Sequence, residues 1–245
     1  MLSLLREIAE RARMKDALRE SSEKIKQFVY LICHDLKSPA VGIYGLTTLL
    51  RNQYGDFLDE QGHKYCEQIV KASEQIGALV KQINVYISTK ESPLSIEPFK
   101  VKELFGTVHD EFSAEIGTRG ILWIEPDTSA EVRADRLSLV RVFRNLVDNA
   151  LKYGGAQLSD IRLGYEESET FHTFFVRDNG VGVTMENSHR IFELFQRDST
   201  SRGIEGAGMG LAIVREAAER HGGRVWVESG HETGTTFFVS IAKDL

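Results

Sequence analysis

Between residue 3 and about 52 the chain is dominated by helix formers, and its apolar positions recur at helical spacing. Met14, Leu18, Ser21, Ile25, Phe28 and Ile32 alternate in steps of four and three, the seam of a coiled coil. Ser21 weakens that seam, and Glu7 and Arg11 fall on it further upstream. A second stripe, Tyr65, Ile69, Ala72, Ile76, Leu79, Ile83 and Tyr86, is cleaner. The stretch from Asn52 to Gly62 carries two glycines and no stripe, so it reads as the loop of an antiparallel helical hairpin turning near Asp56. One hairpin has no way to bury two long stripes, so the pattern predicts a homodimer closed as a four-helix bundle.

The pattern changes after Ser88 to Pro98, a polar stretch with two prolines that reads as an interdomain linker. Helices are expected from Val101 to about Ile116, from Asp135 to Tyr153 and from Gly210 to His221. Strands are expected at Ile121 to Glu125, Glu131 to Ala134, Ile161 to Glu166, Phe171 to Asp178, Arg224 to Glu228 and Thr235 to Ile241. The predicted fold class is therefore α plus α/β: a helical hairpin forming a dimeric bundle, then an α/β sandwich with helices on one sheet face. The corresponding domains are 1–23, a lead-in helix; 24–90, the hairpin; and 91–245, the sandwich, with the linker at about 88–98.

Charge and composition narrow the partners. The net charge is −6 with no Lys/Arg block, which disfavours nucleic acid. No apolar run approaches the ~20 residues of a spanning helix, and the first residues lack a secretory apolar core and cleavage site. The expectation is a soluble protein, or the cytoplasmic portion of a longer one. The only cysteines are Cys33 and Cys66. In the predicted hairpin they lie about 14 residues apart along the helices, about 20 Å, against the ~7 Å a disulfide tolerates. Reduced thiols in a cytoplasmic protein fit better.

Candidate chemistry begins at Cys33-His34-Asp35-Leu36-Lys37-Ser38-Pro39. His34 falls off the seam, so its imidazole points outward; by itself that describes a solvated surface residue. Asp35 beside it could orient one ring nitrogen as a nucleophile, and Pro39 should bend the helix locally or be a tolerated kink. Cys33 is expected to be half-buried. On the helix ending at Tyr153, Arg141, Arg144, Asn145, Asp148, Asn149 and Lys152 share one face. That face reads equally as solvated or as ligand-binding, since an amide oxygen ligates Mg²⁺ without adding charge and a lysine holds phosphate oxygens. Asp178-Asn-Gly180-Val-Gly182 is either an ordinary turn or a wall where an acid accepts from an exocyclic amine. Gly206-Ala-Gly208-Met-Gly210 runs into a helix, whose free N–H groups suit a triphosphate. Between them, Ile191 to Arg197 is a short apolar patch, with Phe192 and Phe195 divided between core and ligand contact. Asp198 to Glu205 has the composition of a mobile lid. Gly234-Thr-Thr-Phe237 begins the last strand beside this pocket.

Taken together these motifs resemble those of the two-component sensor histidine kinases, over nearly the whole chain. His34 to Pro39 is similar to the family's H box, Asn145 to Tyr153 to the N box, Asp178 to Gly182 to the first glycine box, Ile191 to Arg197 to the F box and Gly206 to Gly210 to the second glycine box. The resemblance implies a dimerisation and phosphotransfer hairpin followed by a Bergerat-fold ATPase domain. It implies that His34 accepts the γ-phosphoryl group of ATP with Asp35 as base, and that the group then passes to an aspartate of a response regulator receiver domain. By the same resemblance Asn149 binds Mg²⁺, Asn145 and Lys152 contact phosphates, Tyr153 lies near the adenine, and Asp178 bonds the adenine amine. Gly180, Gly182, Gly206, Gly208, Gly210 and Thr235 complete the nucleotide site, and Arg197 reaches the γ-phosphate. An upstream sensor domain is expected in the full-length protein. Ser38 stands where many relatives that dephosphorylate their regulator carry Thr or Asn, and its hydroxyl could still orient water. The competing reading is a degenerate kinase serving as a dimeric signalling scaffold.

Overall fold

A computed structural model of the chain describes residues 29–183, 190–196, 208–230 and 234–244. The chain divides into two compact units, Met1–Ile87 and Ser88–Leu245. The seam positions Met14, Leu18, Ser21, Ile25 and Phe28 lie outside the described residues, as does the lead-in helix 1–23.

The first unit is a helical hairpin. Helix α1 occupies 29–54 among the described residues and runs through Pro39 without a break. A 3-10 turn at Gly55–Phe57 follows, then α2 over Glu60–Glu91. The connection is shorter than the Asn52 to Gly62 loop expected, because Asp59 caps α2: its Oδ1 accepts the Gly62 N–H at 2.7 Å. What the helices bury is a seam of small residues. Cys33, Ala40 and Thr47 on α1, and Cys66, Ser73 and Val80 on α2, each recur every seventh residue and are all buried. Cys33 is thus fully buried rather than half-buried, and both cysteines are free thiols. The larger apolar residues face outward: Ile32, Leu36, Ile43 and Leu50 on α1, and Tyr65, Ile69 and Ile76 of the predicted second stripe on α2.

The second unit is an α/β sandwich. Strand β1 (Ile96–Lys100) pairs antiparallel with β3 (Glu131–Asp135) as a separate two-stranded sheet. Strands β2 (Leu122–Ile124), β4 (Asp160–Glu167), β5 (Phe171–Asp178), β6 (Val225–Gly230) and β7 (Gly234–Ala242) form the main sheet in the order β2-β4-β5-β7-β6. Only β2 and β4 run parallel. Helices α3 (Val101–Arg119), α4 (Arg136–Tyr153) and α5 (Gly210–Arg220) complete the unit. The stretch read as a linker is structured at both ends, since α2 continues to Glu91 and β1 starts at Ile96. Its two prolines mask β1. Pro98, opposite Arg133, is tolerated because β1 has a single neighbour and needs no donor on its other edge.

Period-two alternation sets the core. In β5, His172, Phe174, Val176 and Asp178 are buried on one face while Phe171 and Arg177 are exposed. Phe174 meets Phe105 of α3 and Phe143 of α4 edge-on, with centroids 6.4 and 5.6 Å away, which locks both helices to the sheet. Asp135 caps α4 through Ser138 N–H at 2.8 Å. His221, fully buried just past α5, joins the layers: Nδ1 donates to Ala217 O at 2.7 Å and Nε2 accepts the Asp135 N–H at 3.2 Å.

The bond accepted by Nε2 requires the neutral ring, and burial pushes the His221 pKa below its ordinary 6.5; burial does the same for His172. The folded unit therefore binds fewer protons than the unfolded chain as pH falls through that value, and stability falls with it. We expect the melting temperature to decrease between pH 7.5 and 5.5, with a shallower decrease in His221→Gln. A melting temperature by circular dichroism that is flat or rising on acidification contradicts this account.

Candidate active site

In the first unit His34 projects from α1 with its side chain 74% exposed. Its Nδ1 lies 3.2 Å from Asp35 Oδ1. With Nδ1–H donating to that carboxylate, the lone pair is left on Nε2, which faces solvent. Ser38 lies one helical turn on and is also exposed. Pro39 supplies no N–H, so the Asp35 carbonyl lacks its usual helical donor. The imidazole is therefore oriented, accessible and unencumbered on one side, as a nucleophile has to be.

In the second unit the candidate residues come from four elements. On α4, Asn145 turns its Nδ2 back onto Arg141 O at 2.7 Å. That fixes the other end of the amide, and a Cβ built on Gly210 would stand 2.9 Å from Asn145 Oδ1. Only glycine lets α5 begin so close to that oxygen. Met209, the residue before α5, makes no side-chain cap, and among the described residues the N-terminus of α5 lies beside Asn145. Asn149 is half-buried on the same helix, and Tyr153 is its last residue, also half-buried. Lys152 Nζ is held by Asp148 at 2.6 Å, so in this structure its charge is shared with a carboxylate.

Asp178 ends β5 and is only 5% exposed, because it is the next core-facing position after Phe174 and Val176. It pairs across the sheet with Thr235 of β7, which is buried too. Its Oδ1 accepts the Gly180 N–H at 2.9 Å. Burial raises the pKa of the carboxyl above its ordinary 3.8 and the neighbouring Asp160 charge adds to this, while N–H groups of Gly180 and Thr235 oppose it. A buried acid held by backbone donors, with no cationic partner among the described residues, suits a neutral donor such as an exocyclic amine.

The Asp178-Asn179-Gly180 turn is walled by backbone. A Cβ on Gly180 would lie 2.4 Å from Gly154 Cα, and one on Gly234 would lie 1.9 Å from Asp178 O. Gly234 has φ +79° and Gly182 φ +77°, both left-handed. Val181 N–H donates to Gly154 O at 3.2 Å, which ties this turn to the end of α4. Gly154 was not singled out in the sequence, where it reads only as a helix stop after Tyr153.

The two F-box phenylalanines separate. Phe192 is core, edge-on to Phe237, whereas Phe195 is 60% exposed. Phe195 adopts φ +61°, and its N–H donates to Gly208 O at 3.0 Å. A Cβ on Gly208 would stand 2.9 Å from Gln196 O, so the F box and the second glycine box meet through backbone. Arg197, Gly206 and the stretch read as a lid lie outside the described residues. Among the described residues no cluster of three His, Cys, Asp or Glu side chains could hold a metal, and no helix is long and apolar enough to cross a membrane. Mg²⁺ nonetheless fits the amide donor at Asn149, since it commonly takes one or two protein oxygens and completes its shell with phosphate and water.

Residues 134–245 match the family model described as histidine kinase-, DNA gyrase B-, and HSP90-like ATPase. The methanogenesis regulatory histidine kinase FilI of Methanothrix harundinacea is 32% identical over 222 residues, covering 89% of this chain and 24% of that protein. Full-length ShkA, solved in complex with AMPPNP, aligns with a TM-score of 0.68 at 25% identity, covering 88% of this chain and 45% of ShkA. Histidine kinase ThkA, solved in complex with the response regulator protein TrrA, aligns with a TM-score of 0.63 at 26% identity, covering 92% and 64%. The chain spans about a third of the length of the first curated relatives it matches. Family model, fold and relatives agree: the chain belongs to the sensor histidine kinases.

Proposed function

We propose that this chain is a kinase core that phosphorylates itself on His34 from ATP and passes the phosphoryl group to an aspartate of a response regulator. The observation that carries the reading is the second unit's arrangement. The Asn145 oxygen meets an uncapped α5 N-terminus, and the buried Asp178 carboxylate is held by backbone N–H groups. One place suits phosphate oxygens and the other an adenine amine. Residues 24–90 would be the dimerisation and phosphotransfer domain and 91–245 the catalytic domain, with 1–23 leading in from an upstream sensor.

In the transfer, the Nε2 lone pair of His34 attacks the γ-phosphorus, the bond from phosphorus to the β,γ-bridging oxygen breaks, and ADP leaves with that electron pair. Positive charge develops on the ring, and Asp35 takes up the Nδ1 proton as general base. Asn149 would hold Mg²⁺, whose charge offsets that of the phosphates. Lys152 would exchange Asp148 for a phosphate oxygen, Tyr153 would lie near the adenine, and Gly180, Gly182, Gly206, Gly208, Gly210 and Thr235 would shape the pocket. Arg197 would add a cation at the γ-phosphate. The exposed Ser38 hydroxyl leaves room for a water-activating role in dephosphorylating the regulator. The TrrA complex of ThkA supports the regulator as partner. ATP dependence and two free thiols suit a cytoplasmic setting for these domains.

The exposed residues Ile32, Leu36, Ile43 and Leu50, with Tyr65, Ile69 and Ile76, call for a second copy, because a hairpin sealed only by small residues buries little apolar area. The chain should scatter light as a dimer, and replacing Leu36 and Ile43 together by Asp should shift it to monomer. A wild-type monomer at micromolar concentration rejects the bundle.

Incubation with γ-labelled ATP and Mg²⁺ should yield acid-labile, base-stable label that His34→Ala abolishes. Asn149→Asp should lower its rate at least about tenfold, since the new charge and altered ligand disturb the metal. Unlabelled wild-type protein sinks the kinase reading and favours a degenerate scaffold; full labelling of Asn149→Asp removes the metal assignment alone.

A further inference from the structure

The central residue of the Asp178-Asn179-Gly180 turn has no role in the chemistry above, yet it carries the densest side-chain bonding near the site. Asn179 Oδ1 accepts the N–H groups of Ser159 and Asp160 at 3.0 and 3.1 Å, and its Nδ2 donates to Ser159 Oγ at 2.7 Å. These bonds close the exit of β5 onto the entry of β4. Among the described residues no other side chain bridges those two strand ends. We propose that Asn179 is a positioning residue for nucleobase recognition, holding Asp178 and the Gly180 N–H in the geometry that selects adenine over guanine. The inference rests on the reading of Asp178 as the adenine acceptor.

The argument is one of constraint. Gly154 and Gly234 limit the turn sterically on two sides, but backbone contact alone resists approach and not retreat. Asn179 supplies the attractive part. Asn is the shortest side chain with an acceptor able to serve two successive N–H groups and a donor for a neighbouring hydroxyl. Release of those bonds frees the peptide that carries the Gly180 N–H, and with it the donor that keeps Asp178 oriented while buried. Ser159 is exposed and Asp160 half-buried, so water can take over their N–H groups. Loss of Asn179 should therefore act on the turn more than on the fold.

Adenine offers an amine donor where guanine offers a carbonyl acceptor, and a fixed carboxylate accepts from the first and repels the second. A loosened Asp178 loses more on adenine than on guanine, so both affinity and selectivity fall. The chemical step, at the other end of the nucleotide, is untouched.

The test uses the full chain, with ADP and GDP binding measured by calorimetry and autophosphorylation measured over ATP concentration. Asn179→Ala should weaken ADP binding and raise the KM for ATP about tenfold, with kcat changed less than about twofold, the scale set by two or three lost hydrogen bonds. It should also shrink the ADP to GDP affinity ratio. Asp178→Asn serves as the control for the underlying reading. If Asp178→Asn abolishes discrimination while Asn179→Ala keeps wild-type affinity and ratio, the positioning role is wrong and the nucleotide site stands. If wild-type protein binds neither nucleotide, both fail. Should Asn179→Ala not fold, Asn179→Ser takes its place, since its short hydroxyl cannot serve both N–H groups: a reduced ADP to GDP ratio supports the proposal, and an unchanged ratio overturns it.

Discussion

A carboxylate at the end of a core-facing strand is the constraint around which the second unit is organised. Asp178 continues the buried alternation of His172, Phe174 and Val176, so folding β5 carries a charge out of water. Such a group is tolerable only if donors come with it. They do, from the Gly180 turn and from Thr235 across the β5–β7 ladder. Each donor in turn requires backbone at close range, and Gly234 and Gly154 are the residues that permit the approach. The site is thus a consequence of satisfying one buried acid on the core-facing side of the sheet.

The first unit solves a different problem with the same economy. Its internal seam is made of Cys33, Ala40, Thr47, Cys66, Ser73 and Val80, small side chains that bring the helices together but bury little area. Larger apolar residues remain outside. A helix pair built in this way buries little apolar area within itself, which is the ground for the proposed dimer. His34 sits off both sets, which is why an imidazole can stay solvent-exposed on a helix otherwise crowded with apolar residues.

Much of the fold was readable because its elements have strong periods and stops. The β5 strand was bounded correctly at Phe171 and Asp178, since an aromatic-rich alternating run ends in Asp-Asn-Gly. Helix α4 was expected over Asp135 to Tyr153 and occupies Arg136–Tyr153, because its polar and apolar residues keep separate helical faces. By contrast β1 was missed, because Pro98 and its polar neighbours signal a linker and only pairing with β3 makes them a strand. The second hairpin stripe was seen, but its side was not: Tyr65, Ile69 and Ile76 face away from the α1–α2 seam. Apolar periodicity shows which residues share a face and says nothing of which partner that face meets.

The same division holds at the site. Sequence alone determined the order of motifs, the exposed His34 beside Asp35 and the strand-end position of Asp178, because these depend on spacing within single elements. Tertiary structure decided that Asn145 faces the start of α5, that Phe192 and Phe195 part company, and that Gly154 and Gly234 enclose the Asp178 turn. It also placed Asn179 across from Ser159 and Asp160, and His221 between Ala217 and Asp135. The reason is physical: those relations join residues distant in sequence, and they are set by how strands pair and helices pack, which local pattern does not encode.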